Sequence, residues 1–343
     1  MTIADLHARL AAGVVIPAHP LALDADGRID EAAQRALTRY YLDAGAHGLA
    51  VGVHTTQFEL HDDQDQLAHV WQLTADQRGH AGTDPILVAG LVGDTAQAVA
   101  EAEVARELGY HAALLSPWAM SDRSEDALLD RARAVGEVLP TIGFYLQESV
   151  GGKYLSRDFW RSLFDLDSVV AVKTAPFDRY RTGDVVQVLL EHERWDQVAL
   201  LTGNDDAIVA DLVTPTRSGD REIRARGGLL GQWAVGTRAA VALVEQADQA
   251  GTAQTVPMDL LAAGSDLVEV NAAVFDVLND FAGCVPGVNE VLRQQGLLSS
   301  ARCLTETERL SPGQPELIAS VRQRFPGLLD EEFVAANRDR WLA

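Results

Sequence analysis

Short apolar runs of β-forming residues alternate with segments of helical periodicity through the first two thirds of the chain. Eight such runs recur at intervals of roughly 27 to 37 residues, and a helix-like segment follows each. The runs are residues 14–16, 49–51, 86–88, 113–115, 141–145, 169–172, 198–201 and 229–230. Because neighbouring parallel strands need a long crossover connection, usually a helix, this alternation predicts an α/β fold, a (β/α)8 TIM barrel.

Four of the intervening segments begin at residues that cap helices and carry apolar residues at every third or fourth position. These are residues 30–44, 94–108, 124–138 and 156–164. Gly45 and Gly109 follow two of them, where a left-handed residue would end the helix. An open doubly wound sheet would instead want a glycine-rich phosphate loop, and neither GxGxxG nor GxxxxGK[ST] occurs. The sequence therefore gives no motif that favours binding of a nicotinamide, a flavin or a nucleoside triphosphate.

The strand signal ends near Pro257, and the remaining segments are helical. Predicted helices cover residues 260–281, 288–295, 315–325 and 331–341. We predict two parts: a barrel over residues 10–250 that carries the active site, and a C-terminal helical extension over residues 257–343. No low-complexity stretch separates the two, so we expect the extension to pack on the barrel.

The charge balance excludes several classes of partner. The formal net charge is -22, from 28 basic and 50 acidic residues, which disfavours nucleic acid and anionic membrane surfaces. The two cysteines, Cys284 and Cys303, are too few for a disulfide framework. No run resembles a signal peptide or reaches the roughly 18 apolar residues of a membrane span. The sequence therefore predicts a cytoplasmic protein.

Lys173 ends the apolar run that would be the sixth strand. In an eight-stranded barrel this position is at the carboxyl end of the strand, facing the mouth where such folds keep their active sites. Burial would destabilise the ammonium form and lower the pKa of the amine, which makes a lysine a better nucleophile. The alternative is a strand-end lysine whose amine reaches solvent.

Six segments together resemble the dihydrodipicolinate synthase/N-acetylneuraminate lyase family. They are GLAVGVHTTQFEL (48–60), ALLSPW (113–118), PTIGFYLQ (140–147), SVVAVKTA (168–175), LLTGNDDA (200–207) and GGLLGQW (227–233). The resemblance extends from about residue 10 to about residue 310 and is strongest around Lys173. It implies a class I (Schiff-base) lyase or aldolase in which Lys173 forms an imine with a 2-oxo acid or a related small carbonyl substrate, without metal or organic cofactor. It also implies a homotetramer or homodimer.

The resemblance further implies a proton-relaying tyrosine on the fifth strand. Tyr145 is the candidate, although a register shift of one residue would put Phe144 in its place and remove the phenol. Trp118 replaces a tyrosine of the family's PYY motif and would line the pocket. Glu148 and its neighbours replace a carboxylate-binding arginine, which argues against the lysine-pathway synthase reaction.

Two loops are candidates for substrate binding. After the second strand, His54, Thr55 and Thr56 stand near the place of a family GTTGE-like motif, and their donors would hold an oxyanion; the alternative is a helix-capping turn. After the seventh strand, Gly203, Asn204 and Asp205 would line the mouth; the alternative is again a helix cap.

Two rival functions remain open. A metal-dependent aldolase or hydrolase would draw on His54, His61 and His69 with nearby aspartates, but their spacing is poor for a compact ligand set. The second is a barrel that binds a ligand without catalysis, which the altered loops favour. The retained Lys173 argues against it, because burying an unpaired charge that has no function costs folding free energy.

Overall fold

The computed structural model describes residues 1–80 and 82–343 of the chain. Eight parallel strands form its barrel, as predicted. They are β1 (Val15–Pro17), β2 (Gly48–Val51), β3 (Ile86–Leu91), β4 (Ala112–Leu115), β5 (Thr141–Leu146), β6 (Val169–Ala175), β7 (Ala199–Thr202) and β8 (Gly227–Leu230). The strand order is β1-β8-β7-β6-β5-β4-β3-β2, and a parallel bridge between Ala18 and Ala50 joins β1 to β2. The fold is therefore a (β/α)8 TIM barrel with C-terminal helices.

Helices cover the outside of the barrel and continue beyond it. They are α1 (Ile3–Ala11), α2 (Glu31–Asp43), α3 (Gln64–Ala75), α4 (Thr95–Glu107), α5 (Glu125–Gly136), α6 (Arg157–Phe164), α7 (Arg179–Glu191), α8 (Ile208–Val213), α9 (Thr237–Ala253), α10 (Met258–Val274), α11 (Cys284–Gln294), α12 (Gln314–Arg324) and α13 (Glu331–Leu342). The capping residues follow the sequence rules: Asp30, Ser124 and Ser156 each accept a hydrogen bond from a backbone N–H in the first turn. Gly45 and Gly109 have the positive φ values, 94° and 82°, expected after a helix end.

One apolar layer fills the barrel and a second lies between the strands and the helices. Side chains such as Ile16, Leu114 and Leu201 form the interior layer. Leu6 and Leu10 of α1 join the same cluster, and α1 contacts β6 and β7. The interior is thus filled by side chains, as expected for a barrel of this size, and α1 adds apolar cover that the strand pattern did not predict.

The C-terminal helices differ from prediction at one point that matters for the site. The predicted helix over residues 260–281 ends earlier, because α10 covers Met258–Val274. Asp276, Asp280 and Phe281 then adopt left-handed backbone conformations, which interrupt a helix. The segment from residue 275 to residue 283 is therefore a loop, and helical periodicity alone did not distinguish it from a further turn of helix.

Two more features complete the fold. An antiparallel hairpin pairs Thr216–Ser218 with Arg221–Ile223 between α8 and β8, and the sequence did not predict it. Over the described part of the chain, none of the helices combines the length and apolar character needed to cross a membrane.

Candidate active site

Lys173 lies in a cavity at the carboxyl end of the barrel strands. On β6 it pairs in register with Phe144 of β5 and Leu201 of β7. The Lys173 residue is 9% exposed and its side chain lines the cavity. The cavity has a volume of about 80 Å³ and opens to solvent. The lysine predicted to be buried at the mouth is therefore located there.

Gly203 makes room for this side chain. A methyl group on Gly203 would lie 2.4 Å from Cε of Lys173 and 2.9 Å from Cβ of Ala175, closer than carbon atoms can approach. The Gly203 N–H donates to the carbonyl of Thr174 at 2.8 Å, which fixes the loop against β6. The glycine predicted to line the mouth is adjacent to the lysine for this steric reason.

The register of β5 brings Phe144, not Tyr145, to the cavity. Because side chains alternate across a strand, one of the two must face the helices. Nζ of Lys173 lies 4.4 Å from the centroid of the Phe144 ring. Tyr145 packs against Trp160 of α6, with 5.2 Å between ring centroids, and its hydroxyl accepts a long bond of 3.4 Å from the Leu155 N–H. The structure thus corrects the placement of Tyr145: its phenol does not line the cavity.

The loop after β2 uses its threonine hydroxyls to hold itself together. Thr56 Oγ1 accepts from the N–H of Gly52 at 3.0 Å and donates to the carbonyl of His19 at 2.7 Å. Thr55 Oγ1 donates to the carbonyl of Ala18 at 2.8 Å. Thr55 lines the cavity and Thr56 does not, so the predicted ligand-binding hydroxyl of Thr56 is committed to the backbone.

His54 is the ring that this loop presents to the cavity. Burial, together with the positive charge of Lys173, lowers the pKa of His54 to about 4. The imidazole is therefore neutral near pH 7. The other two histidines of the metal hypothesis lie elsewhere: His61 contacts Glu101, and His69 contacts Glu31. Among the described residues, no group of three or more His, Cys, Asp or Glu side chains could hold a metal ion.

The loop after β7 contains two polar residues with different surroundings. Asp205 lines the cavity, is 9% exposed, and accepts from the N–H of Gln232 at 3.3 Å. Asn204 does not line it; its amide donates to Asp211 at 3.0 Å and its carbonyl accepts from the Phe177 N–H at 3.2 Å. Asn204 thus shapes the loop, whereas Asp205 faces the lysine's cavity.

Lys173 and Asp205 influence each other electrostatically. Burial lowers the pKa of Lys173 to about 8, and the negative charge of Asp205 opposes that shift. Burial raises the pKa of Asp205 to about 7, and the positive charge of Lys173 opposes it. In both residues desolvation outweighs the mutual attraction, so both groups can exchange protons near neutral pH.

Phenylalanines form much of the aromatic part of the cavity wall, and among them the sequence pointed only to Phe144. Five line it: Phe58, Phe144, Phe177, Phe275 and Phe281. The Phe177 and Phe281 rings meet edge to face, with centroids 5.7 Å apart. Both residues have positive φ, 52° and 66°, a conformation that costs a residue with a side chain on the order of 1 kcal/mol. Backbone strain of this kind is often found at functional sites.

The C-terminal helices hold part of this wall in place. Phe275, Phe281 and Cys284 come from the loop after α10 and the start of α11. Asp276 fixes that loop, because its carboxylate accepts from the Gly283 N–H at 3.0 Å and from the Ser311 hydroxyl at 2.5 Å. The cavity is therefore built jointly by the barrel and the C-terminal helices.

A second, outer pocket adjoins the first and contains Trp118. Trp118 stacks on Phe58 with 5.6 Å between ring centroids and does not line the cavity around Lys173. We call this outer pocket the vestibule; it shares His54, Phe58, Val150, Phe281 and Cys284 with the inner cavity. Trp118 is thus a vestibule residue and not a wall of the inner cavity.

Many solved structures have a fold similar to that of this chain. N-acetylneuraminate lyase from Fusobacterium nucleatum has a TM-score of 0.73 and 16% identity, covering 92% of this chain and 99% of that one. Dihydrodipicolinate synthase from Oceanobacillus iheyensis has a TM-score of 0.75 and 17% identity, covering 95% and 99%. YagE, a prophage protein from E. coli solved with pyruvate, has a TM-score of 0.75 and 16% identity, covering 92% and 98%. At such identities these likenesses show the shared fold.

The sequence itself matches the model of the dihydrodipicolinate synthetase family over residues 11–215. The chain belongs to this family of aldolase-like lyases. Comparison with curated proteins gives no significant match. Phe275, Phe281 and Cys284 lie beyond the matched residues, so part of the cavity wall lies outside the region that the family model describes.

Proposed function

We propose that the protein is a lyase of the aldolase type in which Lys173 forms a Schiff base with a 2-oxo acid. The observation that carries this proposal is an amine at the carboxyl end of β6, enclosed in an apolar cavity, whose pKa burial lowers to about 8. Roughly a tenth of such an amine is neutral at pH 7, far more than for a lysine in water. The neutral amine is the nucleophile that imine formation needs.

The reaction would proceed with the atoms balanced as follows. The neutral Lys173 nitrogen attacks the carbonyl carbon. The carbonyl oxygen takes one proton from that nitrogen and one from a general acid and leaves as water, and a protonated imine remains. This imine draws electrons from the adjacent carbon, so that a C–C or C–O bond is broken or made there. Hydrolysis of the imine then releases the product and restores the amine.

Asp205 is our candidate for the proton carrier, in place of the tyrosine that the family resemblance implied. It lines the same cavity, and burial raises its pKa to about 7, near the operating range of a general acid or base. The residue that faces Lys173 from β5 is Phe144, which has no proton to give. We propose that Asp205 donates a proton to the departing hydroxyl of the carbinolamine, so that water leaves and the protonated imine forms, and that its carboxylate takes the proton back on hydrolysis.

The carboxylate of a 2-oxo acid would bind at the loop after β2. His54 and Thr55 line the cavity, and neither backbone N–H donates to another described residue. Such N–H groups at the start of a helical turn favour an anion. His54 and Thr55 therefore support the substrate role predicted for them, whereas Thr56 and Trp118 would act only indirectly.

Borohydride trapping tests this proposal with little ambiguity, because the chain has only two lysines, Lys153 and Lys173. Incubation with pyruvate and cyanoborohydride should add one reduced pyruvate to Lys173, as mapped by peptide mass spectrometry. Lys173→Arg should abolish the adduct. Lys153→Arg is the matched control and should keep it, since Lys153 donates to the carbonyl of Arg123 at 2.6 Å away from the cavity. An adduct on Lys153, or none with any 2-oxo acid, would refute the proposal.

Phe144 also favours a second candidate function, a barrel that binds a carbonyl compound without turning it over. In that case Lys173 would form the trapped adduct, but no 2-oxo acid would be consumed or released without reductant. Following pyruvate concentration over many turnovers, with aldehydes present and absent, separates this candidate from the lyase.

A further inference from the structure

The inner cavity offers a substrate a single cationic side chain. Among its lining residues in the described chain, Lys173 is the only lysine or arginine. His54 does not supply a second positive charge, because burial lowers its pKa to about 4. If Lys173 forms the imine, no cationic side chain remains to pair with an acidic group on the rest of the substrate.

The vestibule carries the opposite charge. Its lining includes Glu59, Asp280 and Glu308, and no lysine or arginine within the described residues. Burial, together with the negative charge of Glu59, raises the pKa of Glu308 to about 7. A carboxylate or phosphate entering here would add like charge to a region that already disfavours it.

The walls between these two charged regions are apolar and aromatic. Phe58, Phe177, Phe275 and Phe281 surround the space beside Lys173, with Val150 at the boundary with the vestibule. The Phe177 and Phe281 rings pack edge to face, and rings in this arrangement can make further edge or face contacts with an aromatic group of a substrate. Burial of apolar surface is the interaction that such a wall supplies.

We propose that the substrate arm beyond the reactive carbonyl is uncharged and apolar, of about the size of one aromatic ring, and that the site rejects substrates with an acidic group on that arm. This inference rests on the imine-forming role proposed for Lys173. It assigns specificity to the aromatic wall, which the C-terminal loop helps to build, and to the acidic vestibule.

Two 2-oxo acids provide a matched test. 4-Phenyl-2-oxobutanoate and 2-oxoglutarate share the 2-oxo acid and two methylene groups, and differ only in a terminal phenyl or carboxylate group. Each is trapped on Lys173 with cyanoborohydride at equal concentration, beside pyruvate. The phenyl compound should be trapped at least about tenfold faster than 2-oxoglutarate, a ratio that contacts in one pocket can produce.

The outcomes distinguish this inference from the proposed function. If pyruvate is trapped and 2-oxoglutarate reacts as fast as the phenyl compound or faster, the inference is wrong and the Schiff-base proposal stands. If none of the three is trapped, the Schiff-base proposal is wrong and the inference falls with it.

Single substitutions test whether the aromatic wall and the acidic vestibule determine which 2-oxo acid reacts. Phe281→Ala should lower the trapping ratio of the phenyl compound to pyruvate by about tenfold, whereas Leu278→Ala, in the same loop but 85% exposed, should leave the ratio unchanged. At mildly alkaline pH, where Glu308 is ionised, Glu308→Gln removes one vestibule charge and should speed trapping of 2-oxoglutarate relative to pyruvate. If Phe281→Ala fails to fold, Glu308→Gln still decides: an unchanged 2-oxoglutarate ratio there contradicts the inference.

Discussion

Lys173 and Asp205 line one buried cavity without forming an ion pair, since no nitrogen–oxygen contact within 4.0 Å joins them. Each nevertheless changes the pKa of the other, and burial dominates both shifts. A direct ion pair would have stabilised the ammonium and made the lysine a poor nucleophile. The separation therefore keeps a proton exchangeable between the two groups near neutral pH.

Replacing Asp205 should shift the pH dependence of imine formation in a defined direction. Burial lowers the pKa of Lys173, and the negative charge of Asp205 partly offsets this by stabilising the ammonium form. Asp205→Asn removes that negative charge, so the pKa of Lys173 should fall below about 8. The neutral amine then persists to lower pH, and the midpoint of pyruvate trapping against pH should move down.

The same variant should slow turnover by at least about tenfold, because a general acid–base group is lost. Trapping rates across neutral and mildly alkaline pH, together with steady-state turnover, measure both effects. Asp220→Asn is the control, since Asp220 is exposed in the hairpin between α8 and β8 and does not line the cavity. A midpoint that moves up or stays in place would contradict the assignment of Asp205.

Tyr145→Phe should leave both trapping and turnover close to the unmodified protein. Its hydroxyl faces α6 and accepts only a long bond of 3.4 Å from the Leu155 N–H, so its loss should cost at most about 1 kcal/mol of unfolding free energy. Urea unfolding and pyruvate trapping together check this. A large loss of turnover with normal stability would show that the phenol reaches the substrate after all.

Gly203→Ala should strongly slow the reaction while the barrel still folds. The added methyl would lie 2.4 Å from Cε of Lys173, so the lysine side chain has to leave its position, and we expect trapping to slow by at least about tenfold. Gly183→Ala on α7 is the control, because a methyl there meets no atom within 4 Å. Normal trapping by the Gly203 variant would mean that Lys173 does not need the space this glycine provides.

The strands of the barrel could be predicted from sequence, since each of the eight predicted apolar runs overlaps a strand. The first two runs are clear, whereas the run at residues 229–230 is weak because Gly227, Gly228 and Gly231 crowd it. Two of these glycines are needed for the close packing of β8. A methyl on Gly227 would lie 2.1 Å from the carbonyl oxygen of Val14, and one on Gly228 would lie 2.3 Å from that of Thr202. The glycines that weaken the strand signal in the sequence are thus the residues that the close packing of β8 requires.

The site was only partly predictable, for two physical reasons. The choice between Phe144 and Tyr145 depended on the register of β5 against β6, which shifts between Thr141 and Ile142, and both side chains suit either face. Phe281 lay inside a predicted helix, which left-handed residues end in the structure. Lys173 could be found because a charged residue ending an apolar strand is rare enough to be informative.

The predicted division into a barrel over residues 10–250 and a helical extension over residues 257–343 can be tested at Asp330. Its carboxylate accepts from the Tyr40 hydroxyl at 2.7 Å and from the N–H groups of Arg238 and Ala239 at 2.7 and 2.9 Å. One C-terminal side chain thus ties α13 to α2 and caps α9. Asp330→Ala leaves buried donors on the barrel without a partner and should cost about 2 to 4 kcal/mol.

If the C-terminal helices and the barrel unfold together, as their shared cavity wall suggests, urea or heat should produce one transition whose midpoint is lower in the variant. Asp339→Ala, whose side chain is 91% exposed, is the control and should change the midpoint little. Two separate transitions would instead show that the extension is an independent unit. In that case the aromatic wall formed by Phe275 and Phe281 would be lost before the barrel that holds Lys173.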